Sequence, residues 1–245
     1  MLGMAKQEHK TALITGATSG IGKSIAVLLA KKGYNLICVG KNKERLILLE
    51  KELKAGVSLY SYECDIAVES EVMDFLKKVN SDFAKIEILI HSAGCINPVS
   101  VIDSKIEDYN FHFNLNTKAP FLITKILLEK LKENNGQIVF INSSAIQRAI
   151  PNLSLYTASK LALKGFADSL RQEVNQHGVR VISVYPGQTA TPMQQKLYAA
   201  GNKSYNPEKL LQTSDIASII VNALELSATA EVTDLYIRPS VRNEL

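Results

Sequence analysis

The sequence predicts an α/β fold: a single Rossmann-like, doubly wound parallel sheet with helices on both faces. Three observations carry it. Short aliphatic runs alternate with helix-length amphipathic segments from one end of the chain to the other. Runs such as Ile86 to Ile90 are apolar at nearly every position, as in strands covered on both faces of a parallel sheet. A glycine-rich turn, Thr15 to Gly22, joins the first run to the first helix, where nucleotide-binding sheets hold phosphate.

Taken in order, Thr11 to Ile14 is the first strand. Ser24 to Lys32 is helical, with Ile25, Leu28 and Leu29 at helical spacing and Gly33 ending it. Asn35 to Val39 is the second strand. Lys43 to Lys54 follows as a helix with Leu46, Leu49 and Leu53 on one face. Val57 to Tyr62 is a third strand, and Glu69 to Phe83 a helix burying Val72, Phe75, Leu76 and Val79. Ile86 to Ile90 is a fourth strand, followed by helices over Ile106 to Asn114 and Thr117 to Glu133. Gly136 to Ile141 is a fifth strand and Ser154 to His177 a long helix. Val179 to Val184 is a sixth strand. Gln188 to Thr213 reads as polar and irregular, a candidate mobile lid. Asp215 to Leu226 is helical, and Leu235 to Arg238 is a last strand stopped by Pro239. Right-handed crossovers between parallel strands then give the doubly wound sheet.

With 245 residues, 46% hydrophobic and 21% charged, the chain reads as one globular domain over 1–245, and its glycine-rich turn marks that domain as dinucleotide-binding. Residues 1–9 are expected to be a flexible extension, and 188–213 the substrate loop. The net charge of +4 is mild and its charges are interspersed, which argues against a nucleic-acid surface. No apolar run reaches the length of a membrane span. Cys38, Cys64 and Cys95 are too far apart to form a metal or redox pair, so no metal is expected. Reduced thiols and the absence of a signal-peptide core point to the cytoplasm.

Glycines in Thr15-Gly16-Ala17-Thr18-Ser19-Gly20-Ile21-Gly22 let the backbone turn tightly against a pyrophosphate. After the second strand, Gly40-Lys41-Asn42 stands where an NAD site usually carries an acid. Lys41 can pair with a 2′-phosphate and Ser19 can donate to it, so NADP(H) is favoured over NAD(H). Tyr156 and Lys160 lie four residues apart on a helix, one turn apart on one face. The nearby charge favours a phenolate and would lower the tyrosine pKa.

These segments resemble the short-chain dehydrogenase/reductase family over almost the whole chain. Thr15-Gly16-x-x-x-Gly20-x-Gly22 is similar to its cofactor turn, Cys64-Asp65-Ile66 to its adenine-holding position, and Tyr156-x-x-x-Lys160 to its catalytic pair. Ser143, thirteen residues before Tyr156, stands at the catalytic serine, and Asn116 in Leu115 to Phe121 at the catalytic asparagine. Pro186-Gly187-Gln188-Thr189-Ala190-Thr191 resembles the turn that holds the nicotinamide carboxamide. The family's Asn-Asn-Ala-Gly is here His91-Ser92-Ala93-Gly94, with Ser92, Ala93 and Gly94 at the adenosine ribose and His91 expected to be buried and hydrogen-bonded. The chain also lacks the Gly-rich segment that follows the last strand in many members.

The resemblance implies reduction of a ketone or aldehyde to an alcohol. Tyr156 would donate the proton and Ser143 polarise the oxygen. Lys160 would tune Tyr156 and bind the nicotinamide ribose, and Asn116 would hold a water linking Lys160 to solvent. Two alternatives stay open: NAD-dependent alcohol oxidation, and a dinucleotide-binding sensor or partner-binding module without turnover. The substrate is expected to be a small carbonyl or alcohol compound, walled by Ile146, Pro151, Leu153, Met193, Tyr198 and Tyr205, with Arg148 nearby. A homodimer or homotetramer is implied, paired through Thr117–Glu133 and Ser154–His177, where Ala158, Ala162 and Gly165 would let helices approach or would pack on the sheet.

Overall fold

Seven strands form one sheet: β1 (Thr11–Thr15), β2 (Asn35–Gly40), β3 (Leu59–Glu63), β4 (Ile88–His91), β5 (Gln137–Ile141), β6 (Arg180–Pro186) and β7 (Asp234–Ile237). The structure is a computed structural model that describes residues 9–53 and 57–241. The expectations for residues 1–8 and Lys54 therefore fall outside the described residues. The spatial order is β3-β2-β1-β4-β5-β6-β7, and every pairing is parallel. The chain moves outward from β1 to β3, then returns past β1 to β4. That reversal opens a crevice beyond the carboxyl ends of β1 and β4. The five inner strands are buried on both faces, as their nearly uninterrupted apolar character requires, while the edge strands β3 and β7 are only partly covered.

One face packs α1 (Gly20–Lys31), α2 (Lys43–Leu53) and α8 (Thr213–Leu224) through Ile25, Leu29, Leu46, Leu49, Ile216 and Ile220. The other packs α3 (Glu69–Asp82), α5 (Ala119–Glu133) and α6 (Ser154–Val174) through Phe75, Leu76, Ile123, Leu127, Leu163 and Leu170. Among the described residues, no helix is long and apolar enough to cross a membrane.

The structure departs from the sequence reading in two places. The helices before β5 are not separate: α4 (Ile106–Phe113) runs through a π-helical turn, Asn114–Lys118, into α5. The stretch from Gln188 is not irregular throughout either. It contains α7 (Pro192–Ala200), started by Thr191, whose hydroxyl accepts from Gln194 N at 3.1 Å, with a proline in the first turn. None of its residues is buried, so it lacks the apolar stripe that marks α1, α2, α3, α5, α6 and α8.

Candidate active site

The phosphate turn is shaped by close backbone approaches. At Gly16, φ is +69°, and a Cβ would stand 2.8 Å from the Ala93 backbone. At Gly22, a Cβ would stand 2.4 Å from Gly16 O. Any side chain at either position would fill the crevice or push β1 off β4. Ala93 N donates to Thr15 Oγ1 at 3.3 Å, tying the loop after β4 to the end of β1. Ser19 precedes α1 in extended conformation without capping it, so first-turn N–H groups face the crevice. These features fit a dinucleotide's pyrophosphate.

A single cavity of about 620 Å³ runs from this turn to Tyr156. It brings together Gly16, Thr18, Ser19, Gly20, Ile21, Lys41, Asp65, Ile66, Ser92, Ala93 and Gly94 with Ser143, Tyr156, Lys160, Pro186, Gly187, Thr189 and Thr191. Two expected site residues do not line it. Gly22 packs behind, against Gly16 and Ser92, and Asn116 is fully buried behind Gly94. At the end near β2, Lys41 Nζ lies 3.7 Å from Asp65 Oδ2. Asn42 and Arg45 join Lys41 in the lining. Sequence reasoning missed Arg45, because it sits inside α2, three residues past the strand-end positions it weighed.

At the other end Tyr156 starts α6, with Lys160 one turn later, and both are nearly buried. The Ser143 Oγ accepts from Ala145 N at 3.1 Å and lies near the Tyr156 phenol. Burial pushes the Tyr156 phenol up, the Ser143 hydroxyl pulls it down, and Cys95 pushes it up again. Burial pulls Lys160 down to about 8, with Cys95 opposing. This corrects the expectation that Lys160 lowers the Tyr156 pKa. In this protein desolvation dominates at both groups, and the Lys160 ammonium donates to Ile141 O at 2.9 Å.

Asn116 sits in the π turn. Its Nδ2 donates to Cys95 O at 3.1 Å and Ser159 Oγ at 3.0 Å, and its Oδ1 accepts from Cys95 N at 2.9 Å. Asn142 works similarly, donating to Lys160 O at 3.2 Å and accepting from Ser143 N at 2.9 Å. These cross-links fasten α6 to the ends of β4 and β5. Asn142 and Ser159 were not singled out in the sequence, and Cys95 only as an isolated thiol, although Asn142 is the first polar residue after β5.

Leu153 and Met193 line the cavity as expected, and so does Arg148. Ile146, Pro151, Tyr198 and Tyr205 are not among its lining residues. The helical spacing of α7 turns Met193, Lys196 and Leu197 to the cavity, while Tyr198 donates to Gln188 Oε1 at 3.1 Å and packs edge-on against Tyr205. Ile96, Phe111, Leu115 and Ile150 take their places. His91 is buried, hydrogen-bonded to Thr124 Oγ1 at 2.8 Å and stacked on Phe140. Burial pulls its pKa down to about 3.

The sequence matches the short chain dehydrogenase family over residues 10–202. An uncharacterized oxidoreductase of Staphylococcus epidermidis is 31% identical over 237 residues, covering 96% of this chain and 100% of that protein. Human dehydrogenase/reductase SDR family member 11 is 28% identical over 253 residues, covering 97% of each chain. An alcohol dehydrogenase from the archaeon Thermococcus sibiricus, solved with 5-hydroxy-NADP, is 28% identical and has a TM-score of 0.86, over 97% of this chain and 100% of that one.

Proposed function

The chain belongs to the short chain dehydrogenase family and is an NAD(P)-dependent oxidoreductase, and from that premise we propose that it reduces a ketone or aldehyde to an alcohol with NADP(H). The observation that carries the reading is the meeting of Ser143, Tyr156 and Lys160 at one end of a cavity whose other end is the glycine cradle beside Lys41 and Arg45.

When bound, the dinucleotide supplies the hydride that forms the new C–H bond. Tyr156 gives its phenolic proton to the carbonyl oxygen as the C=O π bond breaks. Ser143 donates a hydrogen bond to that oxygen and stabilises the charge that develops on it. At neutral pH the Tyr156 phenol is protonated, the form a proton donor needs. Lys160 holds a positive charge one turn from the phenolate that remains and borders the ribose side of the cavity. Asn116 is a positioning residue in this account: its side chain ties the Cys95 backbone to Ser159, one residue before Lys160.

Lys41 and Arg45, with Thr18 and Ser19 opposite, suit a 2′-phosphate better than a ribose hydroxyl. Gly187, Thr189 and Thr191 would hold the carboxamide side. The whole chain acts as one catalytic domain, with 188–213 covering the substrate. The cytoplasm suits its free thiols. Pairing into a homodimer or homotetramer would cover Phe121 on α5 and Leu161 on α6, which are about half exposed. Ala158 and Gly165 lie exposed on α6 rather than against the sheet, and so are available for close approach.

The test is loss of reduced-cofactor absorbance with a panel of ketones and aldehydes, NADPH and NADH side by side. NADPH-preferring turnover supports the reading. Tight NADPH binding with no turnover across a broad panel favours a sensor instead.

A further inference from the structure

The substrate end of the cavity is chemically lopsided. Around Tyr156, Ala145 and Leu153 form an apolar cluster with Ile96, Ile150 and Leu197. Arg148, between Ala145 and Ile150 in the loop after Ser143, and Lys196, next to Leu197 on α7, also line the cavity. Both are exposed, and neither has an ion-pair partner among the described residues. Asp65 is the only carboxylate among the lining residues, and it belongs to the opposite end, beside Lys41.

Gln188 also lines the cavity, but its amide is turned inward: its oxygen accepts from Tyr198 and its nitrogen is buried. Two cations, contributed by two segments, thus line one cavity with no carboxylate paired to either.

We propose that the carbonyl substrate carries an anionic group, a carboxylate or a phosphate, held by Arg148 and Lys196 while its carbonyl lies at Ser143 and Tyr156 across the apolar cluster. This rests on the reading of the site as a carbonyl reductase. The planar guanidinium of Arg148 matches either anion through two parallel hydrogen bonds. Lys196 contributes a point charge that also raises the encounter rate of anions.

The test pairs keto acids of graded chain length with their methyl esters, and dihydroxyacetone phosphate with dihydroxyacetone, all assayed with NADPH at low and high salt. The enzymes are wild type, Arg148→Ala, Arg148→Glu and, as a charge control outside the cavity, Lys78→Ala. Thermal melts verify that each variant folds. The anionic member of at least one pair is expected to be preferred in kcat/KM by about tenfold or more, with the preference weakening as salt rises. Arg148→Ala should collapse that preference through KM, Arg148→Glu should reverse it, and Lys78→Ala should keep it. The pair in which it appears separates carboxylate from phosphate. Equal or better turnover of the neutral members, or a preference that survives Arg148→Glu, overturns the proposal while leaving carbonyl reduction standing. Reduction of neither member of any pair overturns carbonyl reduction as well.

Discussion

The Lys160 ammonium donates a 2.9 Å hydrogen bond to the carbonyl oxygen of Ile141, the last residue of β5. The charge that the site depends on is therefore anchored to the sheet, buried, and held at a cost. Its pKa falls from 10.5 to about 8, so folding disfavours its charged form. The penalty is present in full below about pH 8 and is relieved as pH rises towards 10.5, because the unfolded chain holds more protons in that window. A shift of this size corresponds to roughly 3 kcal/mol, from which the lost bond to Ile141 takes back about 1.

Lys160→Met should therefore raise the melting temperature at pH 7 by a few degrees, on the order of 2 kcal/mol, while lowering turnover severely. The stability advantage should shrink by pH 10. Melts of both proteins at the two pH values check it.

Ser143→Ala removes one donor to the carbonyl oxygen and the acceptor for Ala145 N. Turnover is expected to fall roughly a hundred- to a thousandfold, in kcat more than in KM. Initial rates over a range of carbonyl concentration measure the split.

Lys41 and Arg45 should set the cofactor choice. The double substitution Lys41→Ala with Arg45→Ala is expected to raise KM for NADPH about tenfold or more, as loss of charge-assisted bonds to a phosphate does. KM for NADH should change little. Kinetics with each cofactor read this directly.

His91 should make the protein acid-sensitive. Its folded pKa is lowered from 6.5 to about 3, so the stability of the neutral form is complete above 6.5 and is lost as pH falls towards 3. Each unit in that window costs about 1.4 kcal/mol. His91→Asn gives up the stacking on Phe140, worth about 1 kcal/mol at neutral pH, but should flatten the decline in denaturant midpoint between pH 6.5 and 4.

The strands and most helices were legible because a doubly covered parallel sheet needs aliphatic runs, and helices such as α2 and α3 repeat leucine or valine on one face. The helix α7 was not legible from periodicity, since it buries nothing; only Thr191-Pro192 announced its start. The break between Asn114 and Thr117 is a π turn because the chain there bends to carry Asn116 under Gly94, a requirement set by residues twenty positions away. Ser143, Tyr156 and Lys160 were visible by their spacing. Their electrostatics were not, because spacing carries no information on desolvation, which decides the direction at both Tyr156 and Lys160. Arg148 was expected near the substrate; the cavity it lines also takes in Lys196, which no spacing in the sequence links to it.

The most direct measurement is Tyr156→Phe, assayed for carbonyl turnover and, by fluorescence titration, for NADPH binding. The account predicts a loss of turnover of about a thousandfold or more, with the NADPH dissociation constant within about twofold of wild type. Turnover at the wild-type rate would contradict Tyr156 as the proton donor.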